Sequence, residues 1–350
     1  MTKKALIAMS GGVDSSVAAL LTKNMGYDCI GCIMKLYDKS GNPDTESDDV
    51  RDARSVAERL SMPFYVFDYT EKFREKVICD FVECYRAGTT PNPCVVCNRY
   101  LKFGALLDKA AELGCEKIVT GHYARIEEKD GLFVLKKAAD PSKDQSYMLY
   151  SLTQEKLAHI LFPLGGMTKA EAREIASENM FVNAAKHDSQ DICFVPDKNY
   201  SAALERLSGE KELPGDFVSE DGRIIGRHKG ISHYTVGQHK GLGIVSDEPL
   251  YVAKISPDDR VITLCNDSGL YKKSADVADV NWIYGVPQSG KIRCRVKIRY
   301  RRPEQPAELT VLDDKTVKVE FDTPERAVTP GQAAVFYDGD TVIGGGTIIR

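Results

Sequence analysis

A glycine pair between two apolar stretches, KALIAMSGGVDSSVAALLTKN (4–24), constrains this chain more than any other feature. The first six residues read as a buried strand and the stretch after the glycines as a helix. Glycines let the backbone turn tightly and aim N–H groups at an anion, and the helix N-terminus adds partial positive charge. Ser10, Ser15 and Ser16 can donate to phosphate oxygens, and Asp14 can hold Mg2+ or cap the helix. A Walker loop needs G-x-x-x-x-G-K-[ST] and a dinucleotide fingerprint needs G-x-G-x-x-G; this turn has neither. The bland alternative is a capped helix after a glycine turn.

The rest of the first half repeats the strand–helix alternation. YDCIGCIMKL (27–36), PFYVFDY (63–69) and EKIVTGHYARI (116–126) read as strands. DDVRDARSVAERLSM (48–62), EKFREKVICDFVECYRAG (71–88) and KFGALLDKAAELG (102–114) read as helices. This pattern predicts an α/β fold with a doubly wound parallel sheet, whose ligands bind beyond the carboxyl ends of the strands. After about 205 glycines and short alternating runs replace helices. From about 275 the period-two runs KIRCRVKIRYRR, AELTVLD, TVKVEF and AAVFYDGDTVIGGGTII predict a small β-barrel. The expected domains are 1–204, 205–274 and 275–350.

No apolar run approaches the ~20 residues needed to span a bilayer, and five apolar residues before the glycine pair are too few for a signal peptide. The reading is a cytoplasmic protein without a membrane partner. Ten cysteines then suggest reduced thiols, some with metal or catalytic use. A net charge of −4 rules out a global positive field, so a nucleic-acid surface would be local.

The heptad SGGVDSS (10–16) resembles the PP-loop of the ATP pyrophosphatases. TPNPCVVCN (90–98), TGHYAR (120–125), KDQSYML (143–149), HDSQDICFV (187–195) and GRHKGISHYTVGQHKGLGI (226–244), in this order and spacing, narrow the match. Together they resemble the tRNA 2-thiouridylase family along the whole chain. The resemblance implies ATP-dependent 2-thiolation of the anticodon wobble uridine, with Mg2+. ATP is cleaved between the α and β phosphates to adenylate the carbon-2 oxygen. It implies tRNAs for lysine, glutamate and glutamine as substrates, and a cysteine desulfurase or relay protein as sulfur donor.

The same resemblance implies residue roles. Cys193 carries the persulfide, and Cys97 completes the transfer, leaving a Cys97–Cys193 disulfide. Ala8, Met9, Ser10, Gly11, Gly12, Val13, Asp14 and Ser15 hold phosphate, while Met34 and Gly121 line the adenosine pocket. Asn92, Pro93 and Cys94 touch the target base. His122, Lys143, Asp144, Gln145, Tyr300, Arg301 and Gln332 contact tRNA, although His122 reads equally as a satisfied strand-end histidine. Thiolates need nearby positive charge. Arg99, Lys102 and a helix start after Asn98 are the candidates near Cys97, with Lys186 and His187 further from Cys193.

Many family members carry aspartate where this chain has Cys94. The change creates C-x-x-C and opens a second route, a [4Fe–4S] cluster on Cys94, Cys97 and Cys193 with one iron left to bind sulfide. Structural zinc is disfavoured, because Cys29 and Cys32 lie in a strand whose alternation sends them to opposite faces.

Lys291, Arg293, Arg295, Lys297, Arg299 and Arg301 alternate with Ile292, Cys294, Val296, Ile298 and Tyr300, which predicts six cations on one strand face for phosphate tracking. Acidic neighbours would instead make it an ordinary solvated face. Two other classes compete. An amide-forming PP-loop ligase would leave the cysteines without a role, and a non-enzymatic RNA-binding protein would leave the ATP loop without one.

Overall fold

The structure is a computed structural model, and it describes residues 3–37, 46–187, 191–195, 199–287 and 290–350. The chain divides into two compact units. Met1–Val77, Cys94–Phe194 and Asp340–Ile343 form one, and Ile78–Pro93, Val195–Gly339 and Gly344–Arg350 form the other.

The first unit is built on a parallel sheet. β1 (Lys4–Ala8) is its middle strand, and Ala5, Leu6 and Ile7 are fully buried. α1 (Val13–Asn24) follows at once, then β2 (Asp28–Lys35), α2 (Asp48–Arg59) and β3 (Phe64–Asp68). Ser47 caps α2 by accepting from the Val50 N–H, which is the reason the helix starts where its acidic residues begin. The predicted helix over 71–88 comprises α3 (Thr70–Phe73), a wide turn over Arg74–Ile78, and α4 (Cys79–Arg86), the last of which belongs to the second unit. α5 (Pro93–Cys97) runs through a wide turn over Asn98–Ala105 into α6 (Leu106–Glu112).

β4 (Lys117–Val119) is much shorter than the predicted strand. The chain leaves the sheet at Thr120, and only at Arg125 does it extend again, as β5 (Arg125–Lys129) paired with β6 (Leu132–Lys136). Asp130 and Gly131 join these two with positive φ at both positions, as a two-residue hairpin turn requires. After α7 (Gln154–Leu157) comes β7 (Ile160–Leu161), and the sheet order is β3-β2-β1-β4-β7. α8 (Lys169–Glu178) starts at a reciprocal cap between Thr168 and Glu171.

In the second unit, α9 (Tyr200–Ser208) ends at Gly209, whose φ is +70°. β8 (Gly215–Val218), β9 (Ile224–His228), β10 (Tyr251–Ser256) and β11 (Val261–Cys265) form a sheet of order β10-β11-β8-β9. Phe217, Val252, Ile262 and Leu264 fill its core. β12 (Tyr271–Trp282), β13 (Lys291–Lys297), β14 (Gln305–Val311), β15 (Val317–Arg326), β16 (Ala333–Asp338) and β17 (Thr341–Ile348) follow. Their order is β12-β15-β14-β13-β16-β17, and β17 pairs back onto β12, closing a barrel and removing both edges.

The expected ladder of six cations is not one surface. β13 stops at Lys297, so only four of the six lie on the strand. Lys291 pairs with Glu308 at 2.7 Å, and Arg293 clasps Asp322 with both nitrogens, at 2.9 and 2.7 Å. Arg295 faces Glu304 at 3.4 Å. Arg299 turns inward and donates to the carbonyls of Val236 and Ala327 and to the Thr329 hydroxyl. Register explains the Lys291 pairing, because antiparallel neighbours place Glu308 directly opposite Arg293, two residue pairs from Lys291 and on the same face.

Candidate active site

The loop between β1 and α1 lies at the carboxyl end of the central strand. Gly11 has φ +72°, and a Cβ there would come within 2.4 Å of the Asp49 carbonyl at the start of α2. Only glycine fits that approach. Gly12 sits at the start of α1 in extended backbone and has no side chain over the first N–H groups. Ser15 and Ser16 both donate their hydroxyls to the Gly12 carbonyl, each at 3.0 Å, so they brace the loop in place of reaching outward. Ser10 is exposed, with its N–H 3.1 Å from the Ser15 hydroxyl. Asp14 does not cap the helix. Its Oδ1 accepts from Lys169 Nζ at 2.7 Å and from the Tyr123 hydroxyl at 2.8 Å.

Gly121 belongs to this loop's packing. A Cβ there would stand 2.7 Å from both the Asp14 carbonyl carbon and the Ser15 nitrogen. The chain thus crosses directly over the loop just after it leaves β4. Met34 lies near the carboxyl end of β2 and is partly exposed.

Three residues that sequence reasoning missed, or assigned elsewhere, grip the loop from behind. Lys169, the first residue of α8, is buried against Asp14. Asn183 Nδ2 donates to the Gly11 carbonyl at 3.1 Å and to the Ser16 hydroxyl at 2.9 Å. Lys186 Nζ donates to the same carbonyl at 3.1 Å and to Asp49 and Asp52 at 3.0 and 2.7 Å. The charge expected to activate Cys193 is therefore balanced by two carboxylates of α2. Their partners are scattered over more than 130 positions of sequence, so no local pattern announced them.

The C-x-x-C pair lies on α5, and the helix begins at Pro93, before the cysteines and not after Asn98. Cys94 is exposed and Cys97 is buried. Burial pushes the Cys97 thiol above its ordinary range, Lys102 pulls it back, and the neighbouring Cys94 pushes it up again. The protein mass around Cys94 also raises its thiol despite the exposure, and Lys102 again opposes. Lys102, not Arg99, is the cation for both; the Arg99 guanidinium lies over the Tyr100 ring, 5.4 Å from its centroid. Asn98 is buried and donates from Nδ2 to the Met148 carbonyl at 3.0 Å, joining this helix to the KDQSYML segment.

His122 faces inward at 8% exposure. Its Nδ1 is 2.7 Å from the Thr120 hydroxyl and its Nε2 is 3.5 Å from Lys102 Nζ, with Phe103 and Phe162 flanking the ring. Burial, then Lys102, holds its pKa well below 6.5, so the imidazole is neutral. As placed, it presents little surface to RNA and braces Lys102.

Several of the other expected tRNA residues are engaged within the chain. Asp144 accepts from the Ala138 and Ser146 N–H groups and the Ser146 hydroxyl. Gln145 exchanges hydrogen bonds with the Tyr123 backbone, and Lys143 follows the same turn, its N–H donating to the Asp140 carbonyl. Gln332 Nε2 donates to the carbonyls of Thr90 and Pro91 at 3.0 and 3.1 Å, which fixes the approach to Asn92 and Pro93. Tyr300 and Arg301 lie in the turn after β13, with Lys297 over the Tyr300 ring.

Cys193 is exposed. Tyr37 donates to its carbonyl, and Phe194 meets Phe73 edge-on at 5.6 Å. Residues 188–190 of the HDSQDICFV motif lie outside the described residues. All ten cysteines are thiols. Among the described residues no three of His, Cys, Asp or Glu are arranged to hold a metal ion, so Cys94, Cys97 and Cys193 do not converge as cluster ligands. The donor set does not fit a [4Fe–4S] group in this arrangement. No helix among the described residues is long and apolar enough to cross a membrane.

Family profiles match three stretches of the chain. Residues 3–197 match the tRNA methyl transferase HUP domain, 202–266 the tRNA methyl transferase PRC-barrel domain, and 272–348 the aminomethyltransferase beta-barrel domain. With the loop geometry, these define a nucleotide-binding α/β enzyme carrying two β domains. The tRNA-specific 2-thiouridylase MnmA of Geotalea uraniireducens is 48% identical over 99% of this chain and 95% of its own length. That of Geobacter metallireducens is 47% identical over 99% and 96%, and that of Symbiobacterium thermophilum 44% identical over 100% and 93%. The chain belongs to the family of tRNA-specific 2-thiouridylases and is by that membership a sulfurtransferase.

Proposed function

We propose that this protein replaces the carbon-2 oxygen of the tRNA wobble uridine with sulfur, at the cost of one ATP. The observation that carries the reading is the loop after β1, whose Gly11 admits no side chain and whose helix start is left open for phosphate. Mg2+ enters with the nucleotide phosphates, as it does where no dedicated protein cage exists. Residues 8–15 hold the phosphates, and Met34 and Gly121 border the adenosine. Asn92, Pro93 and Cys94 receive the base. Lys143, Asp144, Gln145, Tyr300, Arg301 and Gln332 serve the tRNA, by contact or by holding the segments that touch it, and His122 serves through Lys102.

The uridine oxygen attacks the α-phosphorus and pyrophosphate leaves. The terminal sulfur of a Cys193 persulfide then adds to carbon 2. Cys97 attacks the inner sulfur, a Cys97–Cys193 disulfide forms, the outer sulfur stays on the base, and AMP departs with the original oxygen. The persulfide route asks for two thiols, Cys97 and Cys193, whereas the cluster asks for a third, Cys94, in the same place. Cys94→Ala should then leave one round of transfer largely intact. The sulfur comes from a cysteine desulfurase or a relay protein, the substrates are the tRNAs for lysine, glutamate and glutamine, and the enzyme works in the cytoplasm. Domains at 1–204, 205–274 and 275–350 suit this division of labour.

Mass spectrometry of tRNA incubated with ATP, Mg2+, cysteine, a cysteine desulfurase to load the persulfide and a thiol reductant to reopen the disulfide tests the reading. The wobble uridine must gain the sulfur-for-oxygen mass difference, with AMP and pyrophosphate released only when tRNA is present. Turnover stimulated by glutamine or aspartate and indifferent to tRNA would overturn it.

A further inference from the structure

Gly11 is held from two sides. In front, the Asp49 carbonyl leaves no room for a Cβ. Behind, two side chains of one short strap, Asn183 and Lys186, donate to the Gly11 carbonyl. The same ammonium reaches both Asp49 and Asp52 on α2. One cation therefore ties together the nucleotide loop, the helix it rests on, and the strap that leads seven residues later to Cys193. Removing it would leave two carboxylates facing each other beside the loop, with no counter-charge between them.

We propose that Lys186 is a positioning residue for ATP: it fixes the Gly11 peptide and neutralises Asp49 and Asp52, so that the loop N–H groups are aimed before the nucleotide arrives. Burial alone would lower the Lys186 pKa, but Asp52 and Asp49 outweigh it and raise it, so the ammonium is charged throughout the working range. Its three acceptors already satisfy its three protons, which leaves it no proton for the transferring phosphate. Its effect is therefore on how often the loop is competent, not on the chemical step. A loop competent a tenth of the time weakens apparent affinity about tenfold while leaving the saturated rate unchanged.

This inference rests on ATP binding at the loop and not on sulfur transfer, and the experiment separates the two. Equilibrium dialysis measures ATP·Mg2+ affinity, and tRNA-dependent pyrophosphate release measures KM and kcat, for the full chain and its Lys186→Met and Lys186→Arg variants. The expected result for Lys186→Met is a Kd and a KM for ATP raised by about tenfold or more, with kcat within about threefold of wild type. Arginine, which can still donate to the carbonyl and both carboxylates, should restore KM to within about threefold. An unchanged Kd and KM in Lys186→Met overturns the proposal, and so does a large fall in kcat with KM unchanged, which would make Lys186 catalytic. Asp52→Asn removes one partner without opening a cavity; if Lys186→Met does not fold, this variant decides on the same KM-against-kcat split. Wild-type protein that binds ATP but thiolates nothing would sink the proposed function and leave this inference standing.

Discussion

Lys102 is the residue on which the cysteine chemistry turns. It acts on both thiols of α5 and is braced by a histidine that burial keeps neutral. A neutral imidazole can accept from the ammonium, whereas an imidazolium would repel it. Burial holds Cys97 mainly as a thiol at neutral pH, so its alkylation should accelerate as pH rises, with a midpoint above that of an ordinary cysteine. Lys102→Met removes the one favourable charge. Cys97 should then react severalfold more slowly at neutral pH, and its profile should move further to alkaline pH. Iodoacetamide labelling followed by peptide mass spectrometry reads both, and coincident profiles would show that Lys102 does not govern the thiol. The sequence placed Lys102 near Cys97 but could not rank it against Arg99. Ranking depended on which side chain turns inward, and Tyr100 draws Arg99 away.

At the scale of elements, the loop after β1 and the barrel strand β13 show where pattern reading succeeds and fails. The loop was legible because its constraint is local: two glycines, a strand before, a helix after. Gly11→Ala adds a methyl group against the Asp49 backbone and places a non-glycine residue at φ +72°. The left-handed backbone alone costs ~1–2 kcal/mol, so ATP-driven pyrophosphate release should fall by about tenfold or more. Activity within twofold of wild type would mean the loop relaxes around alanine. The cation strand was legible as a strand, but its charge balance was not. Glu308 and Asp322 come from two other strands, and only register brings them to Lys291 and Arg293. Cations already paired release few counterions on meeting phosphate. Arg293→Gln should therefore change tRNA affinity by less than about twofold and leave its salt dependence nearly unaltered. A steep loss of affinity, measured by filter binding across a salt series, would restore the strand as a tracking surface.

For the molecule as a whole, what the sequence hid was long-range pairing. The sheet, the barrel and the nucleotide loop each announce themselves over a few residues. The grip of Lys169 on Asp14 and of Lys186 on Gly11 spans more than 150 positions and has no local signature. His122 was half legible: the reading as a satisfied strand-end histidine was open, but its burial against Lys102 had no local signature. That burial has a consequence for global stability. Above pH 6.5 both folded and unfolded chains carry this imidazole neutral, and it adds no pH dependence. Below pH 6.5 the unfolded chain takes up a proton that the folded chain refuses, so folding loses ground by up to ~1.4 kcal/mol per pH unit until the folded site also titrates. Between pH 7.5 and 5.5, denaturant unfolding of the wild type should therefore fall in stability more steeply than that of His122→Gln, which cannot take up the proton in either state. Parallel slopes for the two proteins would show that the folded chain protonates His122 readily, and that the bracing of Lys102 by a neutral ring is wrong.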